Sequence, residues 1–336
     1  MLPKLVAAGL GPVMDLENAA LPAVAWAAGA GVGFDRGAWQ ALADGSTAEG
    51  VRLRCQLDEL LPGGDDLFGP TRRNWDAPAA VRAAFAAAGV TLDATDDDTL
   101  AALDHPAAAV LREYRGATKL GTTYGVDWLK HASPGGRVYC RWSQSGTMSG
   151  RMSCSSPNLQ NLPRDPRYRR CFAAPPGRVL VKADYSQIEL RLAASLSGDT
   201  AMMDAYARGD DLHALTARQV LGTAEVTKAD RQTAKAVNFG LVFGAGAKTL
   251  AAYARSSYGV DMTEAEAAVY RKKFFATYQG LKPWHRRVGA TGDRAAETRT
   301  VLGRRRSGVT SYTEKLNSPV QGGAADGLKA AIGLLW

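Results

Sequence analysis

From about Ala38 to Lys130 apolar residues recur at helical spacing, with Val81 and Phe85, Leu100 and Leu103, and Val110, Leu111 and Tyr114 as the clearest sets. The pattern predicts an Ala-rich helical lobe in which AAVRAAFAAAG is one amphipathic helix ended by Gly89. Pro62 to Pro70 and Leu92 to Asp98 interrupt it and read as loops. Between Ser133 and Gly177 the periodicity fades and Ser, Pro, Asn, Gln and Arg accumulate, which is the composition of a long functional loop.

Next, RVLVKADY (Arg178 to Tyr185) reads as a buried strand with polar residues at its end, placing Asp184 where the strand stops. Gln187 to Leu196 has helical spacing. Ala229 to Phe243 and Thr263 to Tyr278 predict the helices of a second lobe, and Thr263 with Glu266 forms a capping-box pattern. A Gly/Arg loop, Gly303 to Gly308, precedes Pro319 and the apolar stretch AADGLKAAIGLLW. There is no internal repeat.

With 336 residues, 46% hydrophobic and 22% charged, the chain can bury a sizeable core in about two or three lobes, which excludes disorder and small disulfide scaffolds. Cys55, Cys140, Cys154 and Cys171 contain no CxxC pair, so neither a zinc ribbon nor an extracellular staple is supported, and a reducing cytoplasm is the expected location. The uncharged run Asn18 to Phe34 is broken by Pro22 and follows Asp15 and Glu17, so it reads as neither signal peptide nor membrane span. A net charge of +8, from 41 Lys+Arg against 33 Asp+Glu, favours polyanionic partners such as nucleic acid. Solvated Arg residues give the same balance, so the motifs must decide.

Three constellations carry chemistry. Asp184 could hold a hard divalent cation between protein oxygens and substrate phosphates, or could cap the following helix. Arg231, Lys235, Phe239 and Phe243, spaced four apart, place two cations and two rings along one helix face. That order suits a nucleotide, with cations on phosphates and rings on a base, although a basic end and a core-facing aromatic end give the same spacing. The loop SGTMSGRMSCSSPNLQNLPRDPRYRR offers Arg151, Asn158, Gln160, Asn161, Arg164, Arg167, Arg169 and Arg170 for phosphate and minor-groove contacts, or is simply solvated.

In this order the segments resemble the family A DNA polymerases, the class of bacterial DNA polymerase I and its phage relatives. DYSQIELR resembles motif A of that family and RQTAKAVNFGLVFGAG resembles motif B on its fingers helix. TMSGRMSCSSPNLQNLP, the thumb-like VLREYRGATKLGTTY, and NSPVQGGAADGLK extend the resemblance from about Met14 to Trp336. It implies an α+β right-hand polymerase fold, mostly helical with a small palm sheet. It also implies template-directed DNA synthesis, in which a primer 3′ hydroxyl attacks the α-phosphate of an incoming deoxynucleotide.

By the same resemblance Asp184 and the carbonyl of Tyr185 are ligands of a two-Mg²⁺ site, and Arg231, Lys235 and His213 hold the triphosphate. Gln187 lies in the nucleotide site, Phe239 lies along the incoming sugar and base, and Phe243 stacks at the template. Glu189 is the steric gate against a ribose 2′ hydroxyl. Arg151, Asn317 and Gln321 read minor-groove acceptors at the primer end, while Lys119, Asn158, Gln160 and Asn161 are further DNA contacts. The partners implied are primer–template DNA and deoxynucleoside triphosphates, with no membrane. A single-subunit RNA polymerase shares the palm plan, but Glu189 and the NFG around Phe239 argue against it.

Two departures stand out. Phe243 occupies a position where the family usually has Tyr, so the ring is kept and its hydroxyl is lost. Motif C, a His-Asp-Glu on a palm hairpin, is not found: none of His105, His131, His213 or His285 is followed by Asp-Glu. Asp326 reads as a poor substitute. The expectation is therefore a polymerase portion with little or no activity alone. That leaves open a truncated product, an incomplete reading of a longer gene, a non-catalytic DNA-binding fragment, and half of a split enzyme completed by a second polypeptide carrying motif C. The expected organisation is a remnant over 1–20, a helical thumb and palm entry over 21–135, palm with motif A over 136–190, fingers with motif B over 191–300, and an incomplete return to palm over 301–336.

Overall fold

The helical periodicity of the early chain is realised in a computed structural model that describes residues 2–61, 65–66, 69–70 and 73–336. The chain divides into two compact units. One comprises Ala30–Arg141 and Ser155–Val181, the other Met1–Gly29, Trp142–Cys154 and Lys182–Trp336.

The first of these is built on helices Arg36–Leu60, Pro78–Ala87, Asp97–Ala101 and Pro106–Thr123. Asp35 starts the longest by accepting a hydrogen bond from the Ala38 amide at 2.8 Å, satisfying one of the free N–H groups of the first turn. Val81 and Phe85 are buried with Leu53, Leu57, Trp75 and Leu111, so the predicted apolar stripe is the core-facing stripe. Gly89 follows that helix with φ +82, as expected of its terminator. A second cluster centres on Trp39, stacked on Trp128 with centroids 4.1 Å apart. It is covered by a three-stranded antiparallel sheet in which Val32–Phe34 lies between Arg137–Val138 and Phe172–Ala173. Gly33 is required there, because a Cβ would stand 2.3 Å from the Ala173 carbonyl oxygen.

Two expected loops contain more structure than composition suggested. Asp65–Asp66 pairs antiparallel with Gly69–Pro70, while the rest of the predicted Pro62 to Pro70 loop, residues 62–64 and 67–68, lies outside the described residues. Within Ser133 to Gly177, local caps order the chain. The Asn158 carboxamide accepts from the Gln160 amide at 3.0 Å to start the 3₁₀ turn Leu159–Asn161, and Asp165 accepts from the Arg167 amide at 2.9 Å to start helix Pro166–Arg170.

The other unit carries most of the chemistry. Helices Ile188–Ser197, Lys228–Val242, Glu264–Thr277, Leu281–Gly289 and Tyr312–Leu335 pack Leu190, Val237, Leu241, Phe274, Trp284 and Leu316 into one apolar core. The Thr263–Glu266 capping box forms as predicted, and Thr227 with Asp230 makes a second one at the start of Lys228–Val242. Glu17 and Arg304 meet at 2.5 Å, Glu17 and Lys329 at 2.5 Å, and Arg304 and Asp326 at 2.6 Å, a neutral cluster of two acids and two bases.

Two expectations are corrected. Residues 178–185 form no strand: Val179, Leu180 and Val181 are 81%, 61% and 87% exposed. A strand needs a neighbour for its N–H and C=O groups, and among the described residues none pairs with this run. The Gly303 to Gly308 loop is instead largely a strand, Arg305–Val309, paired antiparallel with Ala296–Arg299. Among the described residues no helix is long and apolar enough to cross a membrane.

Candidate functional site

Asp184 and Tyr185 are exposed on the irregular segment just before helix Ile188–Ser197. A carboxylate and a backbone carbonyl are hard oxygen donors, the donor type that a hard divalent cation takes. No group of three or more His, Cys, Asp or Glu side chains able to hold a metal ion exists among the described residues. Asp326 is 2% exposed and committed elsewhere, accepting from the Thr300 hydroxyl at 2.7 Å and from Arg304 Nε at 2.6 Å.

Gln187 turns the chain into the helix. Its φ of +57 lies in the left-handed region, uncommon for a residue with a side chain. Both ends of its carboxamide are held: Nε2 donates to Asp211 Oδ1 at 3.0 Å, and Oε1 accepts from the Tyr206 hydroxyl at 3.1 Å. Asp211 also accepts from the His213 amide at 3.0 Å and from Arg231 Nε at 2.6 Å. Three elements thereby converge on one carboxylate. Burial pushes the Asp211 carboxyl up, but the Arg231 guanidinium and the His213 amide together hold it below the ordinary carboxylate range.

On Lys228–Val242 the four-residue spacing works as drawn. Arg231 is exposed, Lys235 and Phe239 are half-buried, and Phe243 caps the C-terminus. The Phe239 and Phe243 rings stack at 6.5 Å with 27° between planes, and Lys235 Nζ lies 5.7 Å from the Tyr258 ring centroid. His213 is 2% exposed, with its ring 6.0 Å from that of Phe239. Asn238 holds the ring in place: Nδ2 lies 2.9 Å from His213 Nδ1, and Oδ1 lies 2.9 Å from the Thr216 hydroxyl. Burial, opposed by Asp211 and reinforced by Arg231 and Lys235, pushes the His213 imidazole down to about 4.

Glu189, in the first turn of Ile188–Ser197, is ion-paired with Arg151. Asn317 and Gln321 lie on one face of Tyr312–Leu335, both half-buried, and Asn317 Oδ1 has no hydrogen-bond partner among the described residues. Lys119, Asn158, Gln160 and Asn161 are exposed in the other unit, where the Tyr124 hydroxyl donates to the Asn161 carbonyl. Sequence reasoning missed Asp211 and Tyr206, which touch the predicted residues from behind. The available signal was Asp211 directly before the short helix Leu212–Thr216, a capping position.

The family model for DNA polymerase family A matches residues 84–335. The chain is 45% identical over 208 residues to DNA polymerase I of Aquifex aeolicus, covering 61% of this chain and 36% of that protein. It is 38% identical over 247 residues to the thermostable DNA polymerase I of Thermus filiformis, covering 68% of this chain and 29% of that one. It thus spans about a third of the length of these relatives. Among solved structures, the POL domain of Pol1 from M. smegmatis, in complex with DNA primer-template and dNTP, superposes with a TM-score of 0.82 at 26% identity, over 98% of this chain and 61% of that one.

Proposed function

Because the chain belongs to DNA polymerase family A and has its right-hand polymerase fold, mostly helical with small sheets, we propose that it is the part of a DNA-directed DNA polymerase that aligns primer, template and incoming deoxynucleotide. The observation that carries this reading is the Arg231–Lys235–Phe239–Phe243 face, tied through Asp211 to Gln187 three residues beyond Asp184. On this reading 1–20 is a remnant, 21–135 the helical thumb and entry to palm, 136–190 palm with motif A, 191–300 fingers with motif B, and 301–336 an incomplete return to palm.

Arg231 and Lys235 neutralise the triphosphate, the fork of Arg231 fixing its direction and Lys235 acting as a point charge. His213 adds a neutral donor. Phe239 packs along the sugar and base, and Phe243 supplies a ring on which the template base stacks. Asp184 and the Tyr185 carbonyl would hold a Mg²⁺ ion, which would supply charge neutralisation at the phosphoryl oxygens. Glu189, oriented by Arg151, stands as the wall against a 2′ hydroxyl. Arg151, Asn317 and Gln321 check pairing through minor-groove acceptors, which are common to all correct pairs. Lys119, Asn158, Gln160 and Asn161 grip the DNA backbone.

One observation favours a second reading: no group of three or more His, Cys, Asp or Glu side chains able to hold a metal ion, around Asp184 or elsewhere, exists among the described residues. On that reading the chain binds primer–template without turnover, and a second polypeptide or a further segment supplies the missing group. Primer extension with Mg²⁺ and deoxynucleotides, beside Asp184→Ala, separates the two. Extension abolished by the substitution supports synthesis by this chain, DNA binding without extension supports the second reading, and extension indifferent to Asp184 contradicts the assigned centre.

A further inference from the structure

The last carbonyls of a helix have no intrahelical donor, and at the end of Lys228–Val242 three of them are met in different ways. The Gly244 amide donates to the Leu241 carbonyl at 3.1 Å and the Ala245 amide to the Gly240 carbonyl at 2.9 Å, both within the turn that follows. The Val242 carbonyl is met by a side chain from another helix. His285, on Leu281–Gly289, brings Nε2 to 3.0 Å from it, and since a carbonyl only accepts, Nε2 carries the proton. Burial pushes the His285 imidazole down to about 4, so at neutral pH the ring is neutral and Nδ1 accepts from the Tyr312 hydroxyl at 3.1 Å.

The two side chains are themselves held. The His285 ring lies edge-to-face with Phe275 and Trp284, with centroids 5.2 and 5.4 Å apart. Tyr312 opens helix Tyr312–Leu335 and packs against Gly244, where a Cβ would fall 2.6 Å from its ring. Gly244, at φ +87, is therefore fixed as glycine both by its backbone and by this contact. Phe243 thus stands between two anchored neighbours, Val242 on His285 and Gly244 on Tyr312. A phenylalanine ring makes no side-chain hydrogen bond, so its placement rests on packing, including the Phe239 ring at 6.5 Å, and on the backbone that these anchors hold.

We propose that His285 and Tyr312 are a positioning pair that sets the Phe243 ring against the template base and so helps to fix which nucleotide the Arg231–Lys235 face accepts. Neither belongs to that face: His285 acts through the Val242 carbonyl, and Tyr312 through His285 and Gly244. Tyr312 also begins the helix that carries Asn317 and Gln321, so the pair ties the ring at the template base to the helix assigned to checking the primer end. The proposal rests on the reading of this face as a template-directed nucleotide site.

The test is the salt-challenged stability of the full chain on a dideoxy-terminated primer–template, with the complementary deoxynucleotide and with each mismatched one. His285→Ala leaves the Val242 carbonyl without its donor and should lower the ratio of complementary to mismatched protection about tenfold, the worth of one such bond. His285→Gln, whose Nε2 can make the same donation, should restore most of it. Tyr312→Phe keeps the ring on Gly244 and loses only the hydroxyl, so it should give a smaller loss in the same direction, and it carries the test if His285→Ala does not fold. Phe243→Ala combined with His285→Ala should select no worse than Phe243→Ala alone, because the histidine acts through that ring, whereas a general loosening of the fold would add the two losses. Additive losses, no rescue by glutamine, or an unchanged ratio in Tyr312→Phe overturn the proposal. Absence of selective protection in wild type overturns the template-directed reading, and the proposal with it.

Discussion

Asp211 Oδ2 accepts from Arg231 Nε at 2.6 Å, while Oδ1 of the same carboxylate accepts from Gln187 Nε2 at 3.0 Å. One acid thus orients the cation assigned to the triphosphate and braces the turn that leads from Asp184 into its helix. A carboxylate beside the phosphate cation also repels the phosphates. Asp211→Asn, which keeps a capping side chain, should lower the KM for deoxynucleotides several-fold in primer-dependent assays while slackening Arg231 and lowering kcat. Asp211→Ala should in addition cost about 1 kcal/mol of stability through the lost cap, measured by urea unfolding.

Glu189 is held by Arg151 rather than left free. Removing the wall should admit ribonucleotides, since a loose pocket rejects an added hydroxyl only weakly. Competition between ribo- and deoxynucleotides for binding to the primer–template complex should show Glu189→Ala losing roughly tenfold or more of the discrimination. Unchanged selection would place the gate elsewhere.

The Glu17–Arg304–Asp326–Lys329 cluster makes a stability prediction. Lys329 is fully buried, and burial pulls its ammonium below the usual lysine range despite its hydrogen bond to Glu17. Glu17→Gln leaves two cations sharing one carboxylate, and should destabilise this unit by roughly 3 kcal/mol, read as a lowered urea midpoint.

His213 and His285 are both pushed down to about 4, chiefly by burial. Above pH 6.5 neither folded nor unfolded chain protonates them, and their contribution to stability is complete. As pH falls from 6.5 towards 4 the unfolded chain takes up protons that the folded chain refuses, so stability declines through that window. Urea unfolding at pH 7 and about pH 5 should show the decline, and His285→Gln should remove part of it.

The fold and site were unequally legible. Helices announced themselves where apolar spacing and capping chemistry are local, as at Val81/Phe85 and Thr263/Glu266. The Arg231 to Phe243 spacing likewise gave a helix face directly, because four-residue intervals fix a face without tertiary information. Partner-dependent structure was not legible. Val179 to Val181 have strand composition but no paired neighbour among the described residues, and Arg305–Val309 reads as an Arg-rich loop until Ala296–Arg299 pairs with it. Asp211 and the Glu17 cluster were hidden for the same reason: their meaning lies in contacts between residues up to 312 positions apart.

If the Arg231–Lys235 face selects a nucleotide under template control, the selection is readable without turnover. The most direct measurement is the stability of the chain's complex with a dideoxy-terminated primer–template, challenged with salt, in the presence of each deoxynucleotide in turn. Only the nucleotide complementary to the template base should protect the complex, and Lys235→Ala should abolish the protection. Equal protection by all four nucleotides, or protection that survives Lys235→Ala, would contradict it.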